Sequence, residues 1–179
     1  LSISDAIEVT NIEQFNKAII QLGYPEKPIC IKPSKYPEGS GRGFRIIDNS
    51  QNVHRRMFWE QPSELYYVTL DQVLTAMKHE VEFPPLLVME YLPNEEYSVY
   101  CFCDQGIPVY IVPNRRISIY QMSTLEAVID FNKEIIELSR KICNAFHFEY
   151  MINIQLKYSF DRKPKLIEIN PRQIGRARV

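Results

Sequence analysis

Three of the chain's six glycines, Gly39, Gly41 and Gly43, fall within five residues, between an apolar run that ends at Lys32 and another that starts at Phe44. A glycine-rich link between two strands exposes backbone N–H groups and can fold over phosphate oxygens, with Lys32, Ser40 and Arg42 as further donors. A plain flexible hairpin loop uses glycine equally well, so both readings stand at this point. The loop is not a GxxxxGKS/T phosphate loop, since no helix follows, and GSGRG lacks the spacing of a dinucleotide fingerprint.

Near the end of the chain, YMINIQLKYSF, a turn at DRKP and KLIEINP read as an antiparallel hairpin. Ile152, Ile154, Leu156 and Tyr158 alternate with Asn153, Gln155 and Lys157, while Ile167 and Ile169 alternate with Glu168 and Asn170. The isoleucines are expected to hold the core. A turn centred between Asp161 and Arg162 sets Gln155 opposite Glu168 and Asn153 opposite Asn170, all on one face. Such an oxygen-rich patch suits Mg2+, which takes one or two carboxylates and completes its shell with water and phosphates. The solvated face of a two-layer sheet has the same pattern.

The third feature is LLVMEYL at 86–92, a buried strand followed by Pro93, Asn94, Glu95 and Glu96. Pro93 cannot donate to a ladder, so the chain bends there and frees backbone groups for another partner, an adenine edge among the candidates.

These features need elements to hold them. Thr10 with Glu13 has capping-box spacing, and Ile12, Phe15, Ile19 and Leu22 predict an amphipathic helix over 10–22. ICIKP at 29–33 and GFRII at 43–47 read as strands, and Thr69 with Gln72 caps a helix to about residue 79. Residues 48–68 show no clean period. YSVYCFCD and IPVYIVP, joined by Asp104, Gln105 and Gly106, predict a hairpin. Ser123 and Glu126 predict the start of the longest helix, with Val128, Phe131, Ile135, Leu138, Ile142 and Ala145 on one apolar face.

At 179 residues the chain has room for one domain or two small lobes. Its 21 basic and 22 acidic residues leave a net charge of -1, which argues against nucleic acid or an anionic membrane surface as partner. No apolar run approaches the roughly 20 residues that span a bilayer, and LSISDAIEVT is not a signal peptide, so a soluble cytoplasmic protein is expected. Cys30, Cys101, Cys103 and Cys143 contain no CxxC pair and are expected as reduced, partly buried thiols. The first residue is not methionine, as in a piece of a longer protein.

In their order, KPSKYPEGSGRGF, LLVMEYLPNEEYSV and NIQLK with LIEINPR resemble the lysine and glycine loop, adenine hinge and metal-binding terminus of ATP-grasp proteins. The resemblance runs from about Val9 to Arg172 and is nearest to the large subunit of carbamoyl-phosphate synthase. It implies an α+β fold of two lobes with mainly antiparallel sheets clamping ATP, residues 1–88 as the lid lobe and 89–179 as the metal-bearing lobe. Lys32 would contact the α and β phosphates, and Gly39, Ser40, Gly41, Arg42 and Gly43 would close over the triphosphate. The Glu90 carbonyl and Leu92 N–H would hold adenine, and the Glu96 carboxylate the ribose hydroxyls. Gln155, Glu168 and Asn170 would hold Mg2+, or Mn2+ in its place, and Arg172 would act on the transferring phosphoryl group.

The implied activity is that of a ligase that joins a carboxylate or bicarbonate to an amine or ammonia through an acyl phosphate; the alternative is a regulatory or degenerate module that binds nucleotide without turnover. The resemblance also implies an earlier lysine and a preceding domain, for which there is no room before residue 1, so a missing domain or separate subunit is expected as partner. At Tyr100 relatives often carry an acidic residue.

Overall fold

The computed structural model describes residues 2–34, 43–49, 66–120 and 123–171. They form two units, one of residues 5–34, 43–49, 66–91 and 120, and one of residues 2–4, 92–119 and 123–171.

In the first unit, β1 (Ala6–Val9), β2 (Ile29–Pro33), β3 (Arg45–Ile47), β4 (Tyr67–Val68) and β5 (Leu86–Glu90) make a sheet in the order β1-β5-β2-β3-β4. Every pair is antiparallel except β3 with β4. Helices α1 (Ile12–Gln21) and α2 (Leu70–His79) supply Phe15, Ala18, Ile19 and Val73 to a core with Val9, Ile29, Ile31, Ile47 and Val88. The α2 capping box forms as its sequence predicts, Thr69 and Gln72 each satisfying the other's backbone N–H. The α1 cap is one residue later than expected. Asn11, rather than Thr10, accepts from the Gln14 N–H at 2.9 Å, and the Gln14 side chain turns back to the Thr10 N–H at 2.8 Å.

In the second unit, β6 (Glu96–Asp104), β7 (Ile107–Tyr120), β8 (Ser123–Ile129), β9 (Tyr150–Tyr158) and β10 (Pro164–Pro171) form a sheet in the order β10-β9-β6-β7-β8. Helix α3 (Lys133–Phe146) packs Ile135 and Ile142 against Tyr97, Val99, Ile152, Ile154 and Leu156. The β6–β7 turn requires positive φ at both Gln105 (49°) and Gly106 (79°), the conformation of a tight hairpin.

The expected helix start at Ser123 is wrong: residues 123–129 are strand β8, every one exposed. Pairing with β7 overrides the capping pattern, and STLEAVI carries enough β-branched residues to accept it. The helix begins after Asn132, whose side chain accepts from the Glu134 and Ile135 N–H groups at 3.0 and 3.3 Å. Phe131, expected on the apolar helix face, is exposed.

All four cysteines are free and buried. Burial and contact with Cys143 push the Cys103 thiol up to about 12, so it stays protonated and unreactive at neutral pH. Among the described residues no helix is long and apolar enough to cross a membrane.

Candidate functional site

Strands β9 and β10 pair Glu168 with Gln155, Ile169 with Ile154, and Asn170 with Asn153. Ile152, Ile154 and Leu156 enter the core under α3, so Asn153 and Gln155 face away from it together with their partners Asn170 and Glu168. Opposite residues in such a ladder lie about 5 Å apart and residues two along a strand about 7 Å, so the four side chains bound one small oxygen-rich area.

A β-bulge separates Leu166 from Glu168. Tyr158, Lys157 and Leu156 pair with Pro164, Lys165 and Leu166, one residue out of the expected register, and the extra residue Ile167 restores it. The expectation that Ile167 holds the core is therefore corrected: Ile167 is exposed and Leu166 takes the buried position. Ile169 is partly buried and packs on the core.

Among the described residues no three His, Cys, Asp or Glu side chains group as a metal site. The patch offers one carboxylate and three amides. That donor set fits a hard cation that brings phosphate oxygens and water with it, and it does not fit a resident metal held by protein alone.

Along the same face the next residues are Ser98, paired with Gln155, and Glu96, paired with Lys157. Glu96 is held from both sides, by an Arg116 ion pair and by Lys157 at 3.4 Å. The side chains of Arg116 and Glu96 are only 5% and 13% exposed. As two arginines after a strand, Arg115 and Arg116 are expected to be exposed and outside the site; Arg116 is instead buried on Glu96, and a second bulge, between Phe102 and Cys103 in the β6–β7 ladder, sets that register. Counting back from Gln105–Gly106 without it sets Arg115, and not Arg116, opposite Glu96.

Of the other expected site residues, Lys32, Gly43 and Glu90 belong to the first unit. Lys32 alternates with the core residue Ile31 on β2, so it lies on the opposite face, half-buried. The glycine-rich loop returns to the sheet at Gly43, where φ is +77° and an added Cβ would lie 2.7 Å from Pro33 Cδ. Gly43 thus packs directly on the residue after Lys32. Gly43→Ala is expected to cost about 1–3 kcal/mol through a positive φ and this clash, read as a lowered melting temperature; an unchanged melt would show that the loop foot is not held as described.

Glu90 ends β5, and its side chain accepts from the Asp5 N–H at 2.8 Å while its own N–H donates to the Asp5 carbonyl at 3.0 Å. Beyond it, in the second unit, Leu92 is buried, and the chain after Pro93 is tied down where the Asn94 side chain donates to the Ser159 carbonyl at 2.6 Å. Gly39, Ser40, Gly41, Arg42 and Arg172 lie outside the described residues.

A separate concavity in the second unit is lined by Glu95, Tyr97, Arg115, Asp130 and Tyr158 among others. Its groups satisfy one another: Tyr97 donates to Asp130 at 2.7 Å, Arg115 lies 3.5 Å from Asp130, and Arg162 bonds Glu95 at 2.7 Å. Burial first, then the Glu134 carboxylate, pushes the Tyr158 phenol up to about 12, so both phenols stay protonated donors. With Tyr97 and Tyr158 in the core under α3, the pocket belongs to the opposite side of the sheet from Glu168.

No curated protein sequence matches the chain. Solved structures do resemble it, at identities that speak for the fold alone. N5-carboxyaminoimidazole synthetase from Staphylococcus aureus, complexed with ADP, superposes with a TM-score of 0.64 at 14% identity, over 96% of this chain and 40% of that one. D-alanyl-alanine synthetase A from Vibrio cholerae gives 0.62 at 16% identity, over 95% and 50%. The ATP-grasp ligase PsnB, complexed with minimal precursor, Mg and ADP, gives 0.56 at 13%, over 95% and 45%. The chain therefore spans two fifths to a half of these proteins. Two mainly antiparallel sheets with few helices are the architecture it shares with them. A family model described as "ATP-grasp in the biosynthetic pathway with Ter operon" matches residues 82–178, which include strand β5 and the whole β9–β10 hairpin, and the chain belongs to that ATP-grasp family.

Proposed function

We propose that this chain is the nucleotide-binding part of an ATP-dependent ligase that activates a carboxylate or bicarbonate as an acyl phosphate. The observation that carries the reading is the pairing of Glu168 with Gln155 and of Asn170 with Asn153 on the sheet face turned away from α3. One carboxylate among amides suits Mg2+ that arrives with a triphosphate, and the cation would neutralise charge on the phosphates. Similarity to proteins solved with ADP and Mg supports the same cofactor pair.

An oxygen of the acceptor carboxylate attacks the γ-phosphorus, and the bond to the β–γ bridging oxygen breaks as ADP leaves. An amine or ammonia then attacks the acyl carbon, phosphate departs, and the nitrogen loses a proton to give an amide or carbamoyl product. Gln155, Glu168 and Asn170 position the cation, Lys32 and the loop through Gly43 position the phosphates, and Arg172 steadies charge on the transferring group. Glu96 holds the ribose, with Arg116 and Lys157 keeping its carboxylate in place. The motif likeness to carbamoyl-phosphate synthase favours bicarbonate or a small carboxylate as acceptor. A further domain or a separate subunit completes the acceptor pocket.

Lys32→Ala tests the phosphate side. It is expected to weaken ATP by about 1.5–3 kcal/mol in calorimetry and to leave AMP nearly unchanged, because only the triphosphate loses a charge-assisted bond. Phosphate release on addition of a carboxylate and an amine should fall with it. Equal losses for ATP and AMP would make Lys32 a structural residue.

A further inference from the structure

Asn153 is 1% exposed, the most deeply buried polar residue of the oxygen-rich face. Its amide nitrogen donates to Ser98 Oγ at 2.8 Å and lies 3.4 Å from the Val99 carbonyl. Its oxygen Oδ1 is buried with no hydrogen-bond partner among the described residues. The amide cannot be turned round to cure this, because the Val99 carbonyl is an acceptor only and requires the nitrogen on its side. Ser139 also carries a partnerless buried atom, but a helical hydroxyl can rotate towards a carbonyl of its own helix, and an amide oxygen has no such freedom.

A buried acceptor without a donor costs about 1–3 kcal/mol, so the described residues bear that cost or something beyond them relieves it. The register puts Asn153 directly opposite Asn170 and two residues from Gln155. Ionised phosphate oxygens cannot relieve an acceptor, since they too are acceptors. A cation can, and so can an N–H or O–H of a substrate. With three other oxygen-bearing side chains on the same small area, the cation has the larger share of its coordination there.

We propose that Asn153 Oδ1 is a further protein ligand of the nucleotide's Mg2+, and that Ser98 is its positioning residue, holding the amide with its oxygen towards Asn170. The inference rests on the nucleotide reading above and adds to it a cation ligand on β9 besides Gln155. It also gives the apo protein a built-in cost that cation binding removes.

The test is a Mg2+ titration of the full chain at fixed ATP, followed by thermal shift, for the parent, Asn153→Leu, Ser98→Ala and Glu168→Gln. Asn153→Leu fills the site with an apolar side chain of similar size, so the apo melting temperature is expected to stay level or rise. Its Mg2+ midpoint is expected to rise about tenfold or more, while ATP affinity in chelator is unchanged. Ser98→Ala should move the midpoint the same way by a smaller factor. An unchanged midpoint in Asn153→Leu, with Glu168→Gln shifted, would overturn the role of Asn153 and leave the nucleotide site standing. A parent that shows no Mg2+ dependence removes both. Loss of ATP affinity in chelator would place Asn153 against the nucleotide itself and overturn the cation role, as would a shift that appears only when an amine is added. If Asn153→Leu does not fold, Ser98→Ala decides, and an unmoved midpoint there counts against the proposal.

Discussion

Glu168→Gln is expected to fold and melt as the parent does and to lose most of the magnesium-linked stabilisation by ATP. Glu168 is exposed, and no core residue depends on its charge, so the apo protein should hardly register the change. It is also the one carboxylate among the paired residues of the patch, and an amide in its place removes the only full charge that the patch offers a divalent cation. A ligand present at a hundred times its dissociation constant stabilises by about 2.7 kcal/mol, and each tenfold loss of affinity takes about 1.4 kcal/mol from that. Thermal melts with and without MgATP read the difference as several degrees. A full ligand-induced shift in Glu168→Gln would make the carboxylate plain surface and remove the main support for a phosphoryl-transfer site.

The alternation that exposes this patch is legible in the sequence because β-strand periodicity is 2 and both strands carry it: Ile152, Ile154 and Leu156 on one side, Asn153 and Gln155 on the other. What periodicity cannot supply is register beyond a bulge. Counting from DRKP reaches the right partner for Glu168 only because the turn is one residue tighter than assumed and Ile167 bulges out to compensate. The same device in β6–β7 conceals the partnership of Glu96 with Arg116.

Residues 123–129 failed for another reason. A cap-like Ser123, Glu126 and periodic apolar residues are compatible with either helix or strand, and a neighbouring strand decided between them. Asn132 was the true cap, one turn before the core residue Ile135, and its type alone was a sufficient signal. The unpaired oxygen of Asn153 lies beyond any sequence pattern, since it follows from which carbonyl the amide nitrogen happens to meet.

Arg116→Ala is expected to cost about 3 kcal/mol, the low end for removing one partner of a buried pair, because Lys157 still faces the carboxylate that is left behind. Two side chains 5% and 13% exposed are little screened by water, and truncating the arginine strands Glu96 with a weaker, longer contact. Replacing both partners by apolar residues of similar volume, Arg116→Met with Glu96→Leu, should recover most of the loss, since neither charge then has to be desolvated. Denaturant unfolding of the parent, the single variants and the double variant completes the cycle. The double variant also divides structure from function: if Glu96 holds the ribose, it should be nearly as stable as the parent and still bind ATP more weakly, with AMP weakened in proportion. A double variant that binds both nucleotides as the parent does would make Glu96 a purely structural partner of Arg116. An Arg116→Ala protein that unfolds within about 0.5 kcal/mol of the parent, the range of ordinary surface substitutions, would show instead that the pair is solvated and that the β6–β7 register is looser than described.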